Sequence, residues 1–202
     1  MQSKKISAFS KFYIKIRPKI IPFPLIEKNV SKEGTIIDIG CGFGVFAHYL
    51  AEKSQTRSVI GIDINESRIK QAKIIYDDLV NLKFFCRDIT DIKIPVVDEI
   101  TAIDVLHHIP STDIQSKLLT ACFSALKENG KLIIKDVDKR PLWKYWWNWI
   151  HDFIMTKGEP VLYQDQKSIV KLLKNSGFQL EFLQNLKGYP YAHVIYVAKK
   201  SK

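Results

Sequence analysis

No stretch of this chain stays apolar for the roughly 18 residues that a membrane-spanning helix needs, and the N-terminal MQSKKISAFSKFYIKIRPK lacks the unbroken apolar core of a secretory signal. The expected setting is therefore the cytoplasm. Cysteine is scarce as well. Cys41, Cys86 and Cys122 are odd in number and show no CxxC spacing, so neither a disulfide framework nor a zinc site is indicated and no metal is expected. Repeats and low-complexity segments are missing too. Acids are missing from both ends: Lys4, Lys5, Lys11, Lys15, Arg17 and Lys19 precede the first acid, Glu27, and Lys187, Lys199, Lys200 and Lys202 close the chain. This placement of a formal charge of +10 suits nucleic acid, an anionic membrane surface or an acidic carrier, or it is simply solvated.

What is present fits one domain. At 202 residues and 46% hydrophobic, the chain can bury a single core, so we expect one domain over 1–202, with 1–30 as a basic helical segment. TIIDI (35–39) reads as a strand and VFAHYLAEK (45–53) has helical apolar spacing. SVIGID (58–63), SRIKQAKIIYDDL (67–79) and LKFFCRD (82–88) repeat the alternation. DEITAIDVL (98–106) follows as a strand, then DIQSKLLTACFSALKEN (113–129) as a helix stopped by Gly130, then KLIIKDV (131–137) as a strand. Such alternation predicts a parallel sheet with helices on both faces. After a helix near 165–176, FQLEFLQNL and AHVIYVAKK are joined by a short link, which predicts an antiparallel pair.

The run IIDIGCGFGVF gives up three side chains within five residues, at Gly40, Gly42 and Gly44. Glycines at the end of a first strand allow a sharp turn and a close backbone approach to a nucleotide, although such a turn alone is a weak signal. Its company is more informative. Asp38, Asp63, Asp88 and Asp104 fall at or near the ends of successive strands, where an open α/β sheet binds its ligand, and Asp63 is spaced to reach ribose hydroxyls. Four carboxylates favour a ligand with positive charge over a diphosphate. Cys41, inside the turn, counts as a packing member of this set.

In order and spacing, DIGCGFG, GIDI, RDI, DVLHHIP and LKENGKLIIKD resemble the successive motifs of class I S-adenosylmethionine-dependent methyltransferases. The resemblance runs from about residue 30 to 137. It implies a Rossmann-like, doubly wound seven-stranded sheet of order 3-2-1-4-5-7-6 with the last strand antiparallel. It also implies roles: Gly40 and Gly42 pass beneath the methionine part, Asp38 lies near its ammonium, Asp63 binds ribose, Ile64 and Ile89 flank adenine, and Asp88 accepts from the adenine amino group.

Methyl transfer to oxygen or activated carbon often needs a base, and His107, His108, Asp136 and His151 are the candidates near the expected crevice. The insert 135–163 departs from the common motifs where such enzymes build their acceptor site. On a helix, Trp143, Trp146, Trp147, Ile150 and Ile154 share one face, opposite Lys144, Asn148, His151 and Asp152. That stripe is either core packing or a cover for a lipophilic acceptor or a membrane interface. The expected activity is methyl transfer to a small lipophilic or aromatic acceptor, polyketide- or lipid-like, free or carrier-bound. The alternatives are an RNA or protein methyltransferase, or a silent S-adenosylmethionine-binding scaffold. Against nucleic acid, DVLHH stands where base-directed amino methyltransferases carry (D/N)PP(Y/F).

Overall fold

The computed structural model describes residues 6–88, 95–155, 161–189 and 191–201. The chain opens with helices α1 (Ala8–Ile20) and α2 (Phe23–Glu27), then alternates β1 (Gly34–Ile39), α3 (Val45–Lys53), β2 (Arg57–Asp63), α4 (Glu66–Ile75) and β3 (Leu82–Cys86). It continues with β4 (Val97–Ile103), a 3₁₀ turn at Leu106–His108, α5 (Thr112–Ala125), β5 (Leu126–Val137) and α6 (Leu142–Met155). The described elements end with α7 (Gln166–Asn175), β6 (Phe178–Asn185) and β7 (His193–Lys200).

The seven strands form one sheet in the order β3-β2-β1-β4-β5-β7-β6, parallel except for β7, which runs antiparallel to both β5 and β6. Side chains alternate across a strand, so β5 sends Leu132 and Ile134 to one face and Ile133 to the other, and β7 divides Val194 and Tyr196 from Ile195 and Val197. One face packs on Leu118, Leu119 and Cys122 of α5 and on Ile169 and Leu173 of α7. The opposite face takes Phe23 and Ile26 of α2, Phe46 and Leu50 of α3, and Ile69 of α4. Helix starts follow local chemistry: Asn65, Ser111 and Asp165 each accept a backbone N–H of the following turn.

Several expected boundaries move: the helix read over 67–79 ends at Ile75, the strand read over 98–106 ends at Ile103, and the largest change follows α5. The helix predicted over 113–129 ends at Ala125, and Leu126 already belongs to β5, paired with Val97 across a bulge. Tertiary pairing overrides helix propensity here, because Leu126 is buried and Lys127 is held by Asp98 at 2.7 Å. Gly130 is not a helix stop. It lies inside β5, where a Cβ would come within 2.9 Å of the Asp98 carbonyl oxygen.

Helix α1 closes over the carboxyl ends of the strands, and α2 leads from there along one face of the sheet towards the start of β2. Tyr13 meets Phe43 with ring centroids 5.2 Å apart, and the Ile20 carbonyl lies 3.2 Å from His193 Nε2. Arg57, fully buried, donates to Glu27 at 2.8 Å and to the Ser31 carbonyl at 2.7 Å, which ties the end of α2 to the sheet. No helix among the described residues is long and apolar enough to cross a membrane.

Candidate functional site

The turn after β1 has left-handed backbone at Gly40, Gly42 and Gly44. A Cβ at Gly40 would approach Val105 Cγ2 to 2.7 Å, and one at Gly44 would approach the Phe84 ring to 2.5 Å, so neighbours as well as backbone exclude a side chain. Gly42 is different. Nothing lies within 4 Å of where its Cβ would stand, so the backbone there is bare to open space. That space is a cavity of about 580 Å³ at the carboxyl ends of the strands, bounded by the glycine turn, by Tyr13 and Arg17 of α1, and by the segment from Asp104 to Pro110.

Asp38, Asp63, Asp88 and Asp104 all line this cavity, as do Gly40, Cys41, Gly42 and Ile64. Gly44 shapes the turn from behind. Ile89 lies outside the described residues. The Asp63 carboxylate accepts the Gly42 N–H on one oxygen and the Asn65 N–H on the other, each at 2.8 Å, so it braces the glycine turn while facing the cavity. Asp38 is almost wholly buried and accepts from Thr101 Oγ1 at 2.7 Å. Burial pushes its carboxyl up to about 7; the Thr101 hydrogen bond and the Arg17 charge pull the other way, and the Asp63 charge adds to the rise. The Cys41 thiol is driven well above its ordinary range by burial, with the charges of Asp38 and Asp63 adding to the effect. It is a neutral packing group in the turn.

Asp104 has a left-handed backbone, φ 57°. Its carboxylate pairs with Arg17 Nη2 at 3.0 Å and, more closely, with the fully buried ammonium of Lys135. Burial alone would raise the Asp104 carboxyl, but the Lys135 and Arg17 charges overcome it and hold the group far below the usual carboxylate range. Lys135 is lowered by burial and supported in return by Asp104. A helix that arrives early in the sequence is thus pinned by charge to the middle of the sheet.

Of the four catalytic candidates, His108 lines the cavity and is exposed. His107 and Asp136 stand behind it as a buried pair. His107 Nδ1 lies 2.5 Å from Asp136 Oδ1, and Asp136 also accepts the backbone N–H groups of Val137 at 2.7 Å and His107 at 3.3 Å. The His107 ring lies 4.1 Å from that of His108 and stacks on Tyr163 at 5.4 Å. His151 lies on α6, but its side chain is outside the described set. Asp104, His107 and Asp136 bring ligand atoms within 4.8 Å of one another, yet each carboxylate already has a partner, Lys135 and Arg17 on Asp104 and His107 on Asp136.

Helix α6 is turned the other way round from its apolar pattern. Trp143, Trp146 and Ile150 are 65%, 59% and 50% exposed, so the stripe does not pack as core. Tyr145 instead packs with Val137, Tyr163 and Ala192, Lys144 Nζ donates to the Tyr189 carbonyl at 2.7 Å, and Asn148 is buried. The side chains of Trp147, Asp152 and Ile154 lie outside the described residues. Sequence reasoning passed over Arg17, Lys135 and Tyr163. Arg17 was one cation among many in a basic segment, and Tyr163 carries no local pattern. Lys135 did leave a trace, as a charge that follows the apolar run Leu132–Ile134 of a central strand, with Asp136 beside it.

The family model described as Methyltransferase domain matches residues 30–177. A curated relative, the ubiquinone biosynthesis O-methyltransferase of Pseudomonas fluorescens (strain Pf0-1), is 27% identical over 123 residues, which are 57% of this chain and 50% of the relative. The chain thus spans about half the length of the curated relatives it matches first. Among solved structures, an S-adenosylmethionine-dependent methyltransferase of Methanosarcina mazei is similar with a TM-score of 0.72 at 22% identity, over 88% of this chain and 97% of that one. A magnesium protoporphyrin IX methyltransferase of Synechocystis PCC 6803, with S-adenosylmethionine bound, is similar with a TM-score of 0.69 at 20% identity, over 98% and 86%. The chain belongs to the methyltransferase-domain family, the class I S-adenosylmethionine-dependent group that its motifs resemble.

Proposed function

We propose that this member of the methyltransferase-domain family transfers the methyl group of S-adenosylmethionine to an oxygen of a small aromatic or lipid-like acceptor. The observation that carries the reading is one cavity holding a bare glycine backbone, four strand-end carboxylates and His108 together. The residues fit such a donor. Asp63 retains lone pairs for ribose hydroxyls beyond those used by Gly42 and Asn65, and Asp38, once ionised, complements an ammonium. Ile64, 74% exposed on the cavity wall, offers an apolar face to a base, and Asp88 stands beside it as an acceptor for an amino group. When bound, S-adenosylmethionine supplies an electrophilic methyl on a positive sulfur, which keeps the electron pair of the broken bond.

His108 is the candidate that meets the acceptor, because it faces the cavity. It takes the hydroxyl proton as the acceptor oxygen bonds to the methyl carbon. The His107–Asp136 pair is a positioning element. Its hydrogen bond and the Tyr163 stack hold the turn that presents His108. Residues 135–163 form the acceptor-side insert, with α6 resting on Tyr163 through Tyr145 at a ring distance of 5.5 Å. An oxygen acceptor agrees with the O-methyltransferase relatives, and a lipid-like one would be met beside a membrane.

The test is to incubate the protein with methyl-labelled S-adenosylmethionine and a fractionated extract of its source cells. Label should enter the solvent-extractable small-molecule fraction and fall with His108→Ala at unchanged donor affinity. Label in RNA or protein overturns the acceptor assignment, and donor binding without any transfer marks a silent scaffold.

A further inference from the structure

The outward face of α6 has no task in donor binding. Leu142, Trp143, Trp146, Trp149, Ile150 and Phe153 run along it, from 38% to 71% exposed, which makes a continuous aromatic and aliphatic stripe on a helix otherwise anchored by its polar side. Lone exposed apolar residues are ordinary on protein surfaces, but a stripe of this length marks a contact. Its surroundings say which kind. Exposed Arg140 precedes the helix, next to Lys139, which is paired with Asp165 at 3.4 Å, and the Lys144 ammonium lies 5.3 Å from the Trp143 ring. The β6–β7 connection beneath Lys144 carries exposed Lys187, and it reaches the end of α1, with exposed Lys15 and Lys19, through His193 and the Ile20 carbonyl. Cations around an indole-rich stripe, on a chain of formal charge +10, complement anionic headgroups over an apolar phase.

We infer that α6 docks this protein on an anionic lipid bilayer, lying in the plane of the interface with its tryptophan stripe among the upper acyl chains. The inference extends the proposal that the acceptor is met beside a membrane, but it stands on α6 alone, so its failure leaves methyl transfer intact. It also explains why the helix is seated inside out. The face with Tyr145 and buried Asn148 rests above the His107–Tyr163 pair, while the opposite face is left for lipid. A lipophilic acceptor would then leave the bilayer on the side of the His107–His108 turn, whose His108 faces the cavity.

The whole chain should be mixed with vesicles of phosphatidylcholine alone and of phosphatidylcholine with phosphatidylglycerol, then sedimented at low and high salt. All four tryptophans of the chain lie on α6, so fluorescence quenching by brominated lipids reports this helix alone. We expect binding to the anionic vesicles, quenching on binding, and weakening by salt. The double variant Trp146→Ser/Phe153→Ser, at exposed positions that should not disturb folding, should lower the partition coefficient by about tenfold or more while calorimetric donor affinity holds. The idea is overturned if the parent ignores both vesicle types, if the double variant binds them as well as the parent, or if bound protein shows no quenching. A dimer in ultracentrifugation that the double variant dissociates, with no vesicle binding, would assign the stripe to a second copy of the chain.

Discussion

Donor binding should be steeply dependent on pH, and Asp38 is the reason. Its carboxyl sits at about 7 in the free protein against an ordinary 3.8, chiefly because it is buried. Below that value the group is neutral and offers an ammonium only a weak dipole; above it, a full charge in a dry place. If the donor selects the ionised form, its association constant should fall roughly fifty-fold between pH 7 and pH 5, from a group half ionised to one about 1% ionised. Calorimetric titration of S-adenosylmethionine across that range measures it directly. Asp38→Asn, which retains an oxygen able to accept from Thr101, should bind more weakly at pH 7 and lose the slope. The same group bears on stability with a definite sign. A carboxyl raised on folding contributes stability that is complete below about 3.8 and lost as pH climbs through about 7, with a ceiling of roughly 4 kcal/mol. Denaturation of the free protein should therefore become easier from pH 4 to pH 7, and saturating donor should remove part of that trend. An affinity flat from pH 5 to 7 in the parent, or an equal slope in Asp38→Asn, would refute the assignment.

Asp63→Ala should weaken donor affinity about tenfold or more by calorimetry, since hydrogen bonds to a charged acceptor contribute roughly 1.5 to 3 kcal/mol each; unchanged affinity would place Asp63 outside the ribose site. Asn148 is buried with neither amide atom partnered among the described residues, so Asn148→Leu should stabilise the fold by about 1 to 3 kcal/mol in thermal denaturation, and a lower melting point would contradict that burial. Lys135→Met leaves the Asp104 carboxylate with Arg17 alone and should cost about 3 to 5 kcal/mol in urea melts, a large part of it recovered when Asp104→Asn is added. If the single change proves harmless, the network is not what seats α1.

The sheet was legible because its signals are local and redundant. Apolar runs such as TIIDI, the helical spacing of VFAHYLAEK and the glycine turn each specify one element, and right-handed crossovers leave few ways to assemble them. The strand-end acids were legible for the same reason, as strand ends are known once strands are. Where the reading slipped, the deciding contact lay far away in the chain. Nothing within a few residues of Leu126 says that it will leave α5 to pair with Val97.

The charge network and α6 show the limit most plainly. Lys135 sits in KLIIKDV, which is strand by any local measure, and it is the carboxylate of Asp104, just past the end of β4, that makes a buried ammonium tolerable, a carboxylate it shares with Arg17 of α1, over a hundred positions earlier. Helix α6 raises the converse difficulty. Its apolar face is obvious in the sequence, but amphipathicity says only that two faces differ, and burial of the aromatic one is an assumption about what lies opposite. Here the protein offers that helix the carbonyls of Tyr189 and Tyr191 and the ring of Tyr163, which suit Lys144 and Tyr145 better than a row of indoles. Once the polar side is taken inward, the tryptophans of the outward face stay exposed, and their contact with any surrounding less polar than water would lower the free-energy cost of that arrangement.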